Sequence, residues 1–289
     1  MSEKLVLRTA LGKHAHVKPL VDGRVSSSRV TFEFRDYEPL PKAFRAMVRG
    51  DELDVSELAV VTHLLAHHYA KPLTGLAIPL WSRLPHANLV CPVDSTIRAP
   101  KDLNNTKVGV RAYAQTSGVW VRGIIKDDYG VDLNCITWLT MEDAHLSEYT
   151  DPTNTVRNDK SVGLRELMIS GELSAIMGER VVDPSGIRTV VPDGDKAAEA
   201  WIERTGIVPI NHVLTVRNEL LANHPWLAGE LMELFEEARR VAIEEDGAAP
   251  PPAYGLEANR RSLQLAFDYS ADQQVTPRRY EVDELFVRI

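Results

Sequence analysis

One pattern narrows the fold more than any other: short apolar runs bounded by turn residues alternate with helix-patterned segments along the whole chain. Such alternation builds α/β architecture, because each run can pair in a sheet while each helix covers a sheet face. KLVLRTAL, RVTFEFRDY, LTGLAIPLW, ANLVCPV, KVGVRAY, CITWLT, ELSAIMG and IVPINHVLTV read as strands. Helices are expected near HVKPLVDG and over PKAFRAMVRG, VGLRELMISG, DKAAEAWIERTG and ANRRSLQLAFDYSADQ. DELDVSELAVVTHLLAHHYA reads as a strand end running into a helix. Asn223 and Pro225 open the clearest helix, with Leu227, Leu231, Leu234, Ala238 and Val241 at helical spacing.

The 289 residues suffice for two lobes, each with its own core. Lys and Arg number 33 against 41 Asp and Glu, a net charge of −8 with no basic block. That lacks the electrostatic footprint of a nucleic-acid or membrane-surface binder, so neither partner is expected. A small anion held by local basic residues fits better. Cys91 and Cys135 form no CxxC pair, and no zinc ribbon or disulfide framework is expected. The N-terminal segment carries no long apolar run of the signal-peptide kind, and a cytosolic protein is expected. AAPPPAYG is the best linker candidate.

Several residues invite chemistry. KVGVRAY followed by Gln115-Thr116-Ser117-Gly118 is a strand running into a helix start, with Thr116 or Ser117 as cap and Gly130 as terminator. Arg111 is expected to project from the strand opposite its valine face. With the N–H groups of the helix start, Arg111, Thr116 and Ser117 are candidates to hold a carboxylate. Arg83 and His86 sit in SRLPHANL, one a fixed cation and the other able to move a proton near neutral pH. Asn211 and His212 interrupt an apolar strand and must find partners or face a ligand.

His14 and His16 share a side if their segment is extended, and His16 is a binding candidate. Ser56, beside Glu57, falls at an expected strand-to-helix turn, where it is a binding candidate or a helix cap. Glu142, Asp143 and His145 follow CITWLT and offer a carboxylate–imidazole pair or a solvated helix start. His63 and His67 have i, i+4 spacing, but no HExxH and no evident third ligand accompany them. No metal site is expected, and none of the phosphate-binding or nucleophile-elbow motifs occurs.

The segments ELDVSELAVVTHLLA, SRLPHANLV, APKDLNNTKVGVRAYAQTSGVWVRGIIKDDYGVDL, RTGIVPINHVLTV, NHPWLAGELMELFEEARR and YGLEANRR occur in the order seen in one family. The chain resembles the 4,5-dihydroxyphthalate decarboxylase-like proteins of the periplasmic-binding-protein-like (type II) superfamily, from about Leu11 to Phe286. Residues 107–129 and Pro209-Ile210-Asn211-His212 are the most specific parts. The first loop, His14-Ala15-His16-Val17-Lys18, departs from the aromatic-acidic pattern of the family.

The resemblance implies two α/β lobes joined by two crossover strands, with a ligand cleft between them. Residues 1–92 and 209–289 would form one lobe and 93–208 the inserted other, with LVCPV and IVPINHVL as hinge-spanning strands. It implies cofactor-independent decarboxylation of a hydroxylated aromatic carboxylic acid, a step of aromatic catabolism on a 4,5-dihydroxyphthalate-like compound. Arg83 or Arg111 would clamp a carboxylate, and His86 or His212 would deliver the proton. The alternative is a non-catalytic solute-binding protein using the same fold.

Overall fold

A computed structural model describes residues 3–178 and 185–288, which divide into two compact units. The first comprises residues 1–82, 210–264 and 280–289; the second comprises 83–209 and 265–279. The first passage between units thus falls after Ser82 rather than near Pro92. The reason is visible in the pairing: the strand Leu89–Pro92 belongs to the sheet of the second unit. Residues 265–279, expected in the first lobe, also belong to the second unit.

The first unit contains β1 (Leu5–Ala10), α1 (Lys18–Val21), β2 (Val30–Phe34), α2 (Pro41–Arg49), β3 (Val55–Ala59), α3 (Val60–His68) and β4 (Leu73–Ser82). The second contains β5 (Leu89–Pro92), β6 (Lys107–Val110), α4 (Thr116–Tyr129), β7 (Thr137–Thr140), β8 (Thr155–Arg157), α5 (Leu164–Ile169), β9 (Ala175–Met177), β10 (Ile187–Thr189) and α6 (Gly194–Thr205). The chain then supplies the first unit with β11 (Ile210–Arg217), α7 (Asn218–Asn223) and α8 (Leu227–Glu244). Helix α9 (Leu256–Asp272) is divided between the units, and α10 (Val282–Leu285) closes the first.

The first sheet has the order β2-β1-β3-β11-β4. β1 runs parallel to β2 and β3, whereas β11 lies antiparallel between β3 and β4. Its core packs Leu7, Leu76, Ile78 and Leu214 of the sheet with Leu231 and Phe235 of α8. The predicted apolar stripe of α8 is buried throughout, with Leu227, Leu231, Leu234, Ala238 and Val241 all in that core. The Pro-rich segment is no interdomain linker. It joins α8 to α9 within the first unit, where Tyr254 is buried and Gly255 N–H donates to the Ala77 carbonyl.

His63 and His67 both pack against the C-terminal segment. His63 is buried, with Nε2 3.2 Å from the Leu285 carbonyl and Phe286 packed edge-on to its ring. Burial pushes its pKa down to about 4, so the ring is neutral. His67 packs against Tyr280, and His68 Nδ1 lies 2.7 Å from the Tyr280 hydroxyl. The three histidines anchor the C-terminal segment.

The second sheet has the order β10-β5-β9-β6-β7-β8, over a core that includes Val90, Leu139, Leu164, Met168 and Ile176. On α4, Arg122 is fully buried; its Nε donates to Gln273 Oε1 at 2.7 Å and its Nη2 to the Tyr113 carbonyl at 2.6 Å. One turn of this helix needs glycine. A Cβ at Gly123 would stand 2.1 Å from the Tyr269 ring, a separation no packing tolerates. Gly123→Ala is therefore expected to destabilise the protein by about 1–3 kcal/mol through overpacking, although alanine is the better helix former. A lowered Tm checks this; an unchanged or raised Tm would show that Tyr269 yields freely.

Candidate active site

The carboxyl end of the first sheet carries an unusual charge. β3 is buried along its whole length, yet its third residue is Glu57, whose side chain is 0% exposed. The stretch after β1 and the strand β11 meet around it. The backbone N–H of Gly12, just past β1, donates to Oε2 at 2.7 Å. His14 Nε2, from the loop leading into α1, lies 3.0 Å from Oε1 and 2.9 Å from Oε2. His212 Nδ1, from β11, lies 2.5 Å from Oε1. Register explains the meeting: Leu214 pairs with Glu57 and His212 with Ala59, which places His212 at the same sheet end as the β1 exit.

Burial alone would raise the Glu57 pKa, but the hydrogen bonds and charges of His14 and His212 hold it well below the usual carboxylate range. An ionised carboxylate only accepts, so both contacting nitrogens carry hydrogen. That fixes both rings and turns His14 Nδ1 and His212 Nε2 away from Glu57 as the nitrogens left for other work. His212 is further held by Phe44, edge-on with centroids 5.0 Å apart, and by Trp81 at 4.7 Å.

Beside this cluster lies a cavity of about 510 Å³ lined by residues of the β1 and β2 exits, His14 among them. Its wall carries Lys13, Lys18 and Arg35 against the one acid Asp36, a local excess of positive charge on a net acidic chain. Arg35 also pairs with Glu33 at 2.7 Å. In α/β sheets, ligands bind beyond strand carboxyl ends, where this cavity sits.

The sequence candidates are distributed over both units. His16, Ser56, Asn211 and His212 lie in the first, and Arg83, His86, Arg111, Thr116 and Ser117 in the second. His16 is buried and stacks on His14 with centroids 5.4 Å apart; it is His14 that reaches Glu57. Burial and the neighbouring His14 push the His16 pKa down to about 4. Ser56 is not at a strand-to-helix turn and caps nothing: it is fully buried inside β3, its hydroxyl donating to the Glu57 carbonyl at 2.8 Å. Asn211 is buried, and its Oδ1 has no hydrogen-bond partner among the described residues.

In the second unit, Arg83 Nη1 donates to the Gly178 carbonyl at 3.3 Å. His86 is buried beside Trp201, and burial lowers its pKa to about 4, so it is neutral at pH 7. β6 ends at Val110, which leaves Arg111 just beyond the strand rather than projecting from it. Its carbonyl accepts from the N–H groups of Met141 and Glu142, and its Nε lies 3.8 Å from the Glu142 carboxylate. Gln115, not Thr116 or Ser117, occupies the cap position of α4, and both hydroxyl residues are buried in its first turn. Gly130 ends the helix with a left-handed φ of 65°. Asp143 of the Glu142–His145 segment is exposed and pairs with Arg157 at 3.3 Å.

Sequence reasoning passed over Glu57 and His14 as the centre of a site. The signal available was an acid inside an otherwise apolar strand, SELAVV, which a buried sheet tolerates only with partners.

A 4,5-dihydroxyphthalate decarboxylase of Comamonas testosteroni is 31% identical over 266 residues, covering 83% of this chain and 76% of the relative. A protein of the same name from Pseudomonas putida is 30% identical over 190 residues, covering 61% and 71%. No protein-family model matches the chain. Among solved structures, the alkanesulfonate-binding protein SsuA from Xanthomonas axonopodis, bound to MOPS, is 14% identical with a TM-score of 0.60 over 100% of both chains. The desulfurization enzyme DSZB is 12% identical with a TM-score of 0.58, covering 99% of this chain and 97% of its own. The chain therefore has the two-lobed α/β fold of the periplasmic binding proteins and belongs to the 4,5-dihydroxyphthalate decarboxylase family, a family of carboxy-lyases.

The buried neutral histidines make stability fall in acid. The unfolded chain binds a proton at His16, His63 and His86 near pH 6.5, the folded protein only near 4, so stability is full above 6.5 and is lost as pH drops toward 4. His86→Leu is expected to remove up to about 3 kcal/mol of that loss. Urea midpoints measured between pH 7 and 4 check it; an unchanged pH slope in the variant would place the proton uptake elsewhere.

Proposed function

We propose that this protein removes carbon dioxide from a hydroxylated aromatic carboxylic acid without a cofactor, the substrate lying in the cavity beside His14. The observation that carries the reading is the buried Glu57 carboxylate fixing His14 and His212 at the sheet's carboxyl end. The relatives' name supports the substrate class: 4,5-dihydroxyphthalate carries two carboxylates and a hydroxyl para to each.

The chemistry needs two proton transfers and a held anion. An acid protonates the ring at the carboxyl-bearing carbon while the para hydroxyl loses its proton, so the ring itself takes up the electrons as a dienone. The C–COO⁻ bond then breaks, carbon dioxide leaves and aromaticity returns. Because the ring is its own electron sink, no prosthetic group is required. Lys13, Lys18 and Arg35 would hold carboxylate, and exclusion of water would strengthen that grip. Of the two histidines the sequence left unranked as acid, His212 is the better, because a carboxylate holds its Nδ1. His86, neutral near pH 7 and without an acidic partner in its contacts, stores no proton to give.

Purified protein offered 4,5-dihydroxyphthalate and a panel of mono- and dihydroxybenzoates should release carbon dioxide from at least one of them. His212→Asn should lower kcat by about 10²-fold or more, the usual worth of a general acid. Ala substitutions at Lys13, Lys18 or Arg35 should raise KM by about tenfold each while leaving Tm within a few degrees. Saturable binding of these acids with no carbon dioxide released would replace the enzyme reading with a binding protein.

A further inference from the structure

Decarboxylation by ring protonation needs an acid and a base in one site at one time, and two like imidazoles would ordinarily be both charged or both neutral. The geometry around Glu57 breaks that symmetry. One carboxylate, carrying one negative charge, accepts from both His14 and His212 and from the Gly12 N–H. With one imidazolium the cluster is neutral. A second would leave net positive charge against Lys13, Lys18 and Arg35 of the adjoining cavity; none would leave a fully buried carboxylate without a cation.

Other groups packed around the cluster do not supply that cation. Phe44 of α2 and Trp81 of β4 face His212 with uncharged rings. His16 stacks on His14 and is kept neutral by burial, with Arg239 of α8 adding a repulsive charge. Ser56 and Thr215 turn their hydroxyls to backbone carbonyls. Asp36 lies on the cavity wall.

We propose that Glu57 is a positioning residue that makes His14 and His212 share a single proton, so that the working site holds one imidazolium and one neutral imidazole. Resting on the decarboxylase reading above, this assigns both proton transfers to one cluster. The imidazolium gives its proton to the carboxyl-bearing ring carbon, and the neutral imidazole takes the hydroxyl proton. After the C–COO⁻ bond breaks, its electron pair restores the ring as a phenolate, which recovers the hydroxyl proton from the second imidazole. The proton left on the ring carbon is replaced from solvent, so each turnover consumes one proton and releases one carbon dioxide.

The decisive measurement is ¹⁵N NMR titration of the histidines in the intact protein without substrate. His14 and His212 should protonate in two steps separated by more than about one pH unit, the mark of directly coupled sites. In His14→Asn the carboxylate serves His212 alone, and the two-step titration should collapse to a single step at His212. Glu57→Gln should merge the two steps and move both to lower pH, with kcat lowered by about tenfold or more and KM little changed. If Glu57→Gln fails to fold, the wild-type and His14→Asn titrations still decide. Coincident titration in the wild type, or a two-step His212 titration that persists in His14→Asn, overturns the proposal. Split titration with no hydroxylated aromatic acid decarboxylated would uphold the shared proton and defeat the proposed reaction instead.

Discussion

A carboxylate sealed inside a sheet is the interaction on which the first unit turns. Removing Glu57 from water costs several kcal/mol, and only close, well-aligned donors recover that cost. Here they are one backbone N–H and two imidazole N–H groups, from the loop after β1 and from β11. Because the donors come from two segments remote from β3 in sequence, the charge is tolerated only when β1, β3 and β11 are all in register. The same contacts that make the burial affordable orient two histidines, one of which lines a basic cavity, so the cluster forms only as the unit folds.

The topology explains how residues far apart in sequence reach one carboxylate. β1 and β3 run in parallel and end on the same side, and β11 enters the sheet antiparallel beside β3, which brings its start to their ends. His212 is 155 positions from Glu57 and His14 is 43. Between β4 and β11 the chain builds nearly all of the second unit, whose own core rests on β5, β6, β7 and β9 with α5. That unit also buries a cation, Arg122, between Gln273, the Tyr113 carbonyl and the Tyr113 ring, and seats Tyr269 against Gly123.

Sulfonate-binding proteins and a desulfurization enzyme share this fold at 12–14% identity, a likeness that carries architecture and nothing about chemistry. The segment Lys13-His14-Ala15-His16-Val17-Lys18 is notable for what it brings together: one imidazole on Glu57, a second stacked behind it, and two lysines on the cavity wall.

Local order was legible from residues alone. Apolar runs and helical periodicity located the strands and the α8 stripe, since burying one face leaves its period in the sequence. The segments over residues 107–129 and around Pro209-Ile210-Asn211-His212 carried the family, and Gly130 marked its helix end. Turn-level detail was less legible: β6 stops one residue before Arg111, Gln115 takes the cap, and Ser56 sits inside a strand, because a single pairing or capping contact shifts a boundary by a residue or two. The division into units also escaped, since LVCPV reads equally well as a hinge strand or a sheet strand until its neighbours β9 and β10 are known. What only tertiary structure decided is the partnership at Glu57. A sequence records that an acid stands in an apolar strand and that histidines stand elsewhere; which of them meet is set by sheet register and chain crossing, and those depend on the packing of the whole unit.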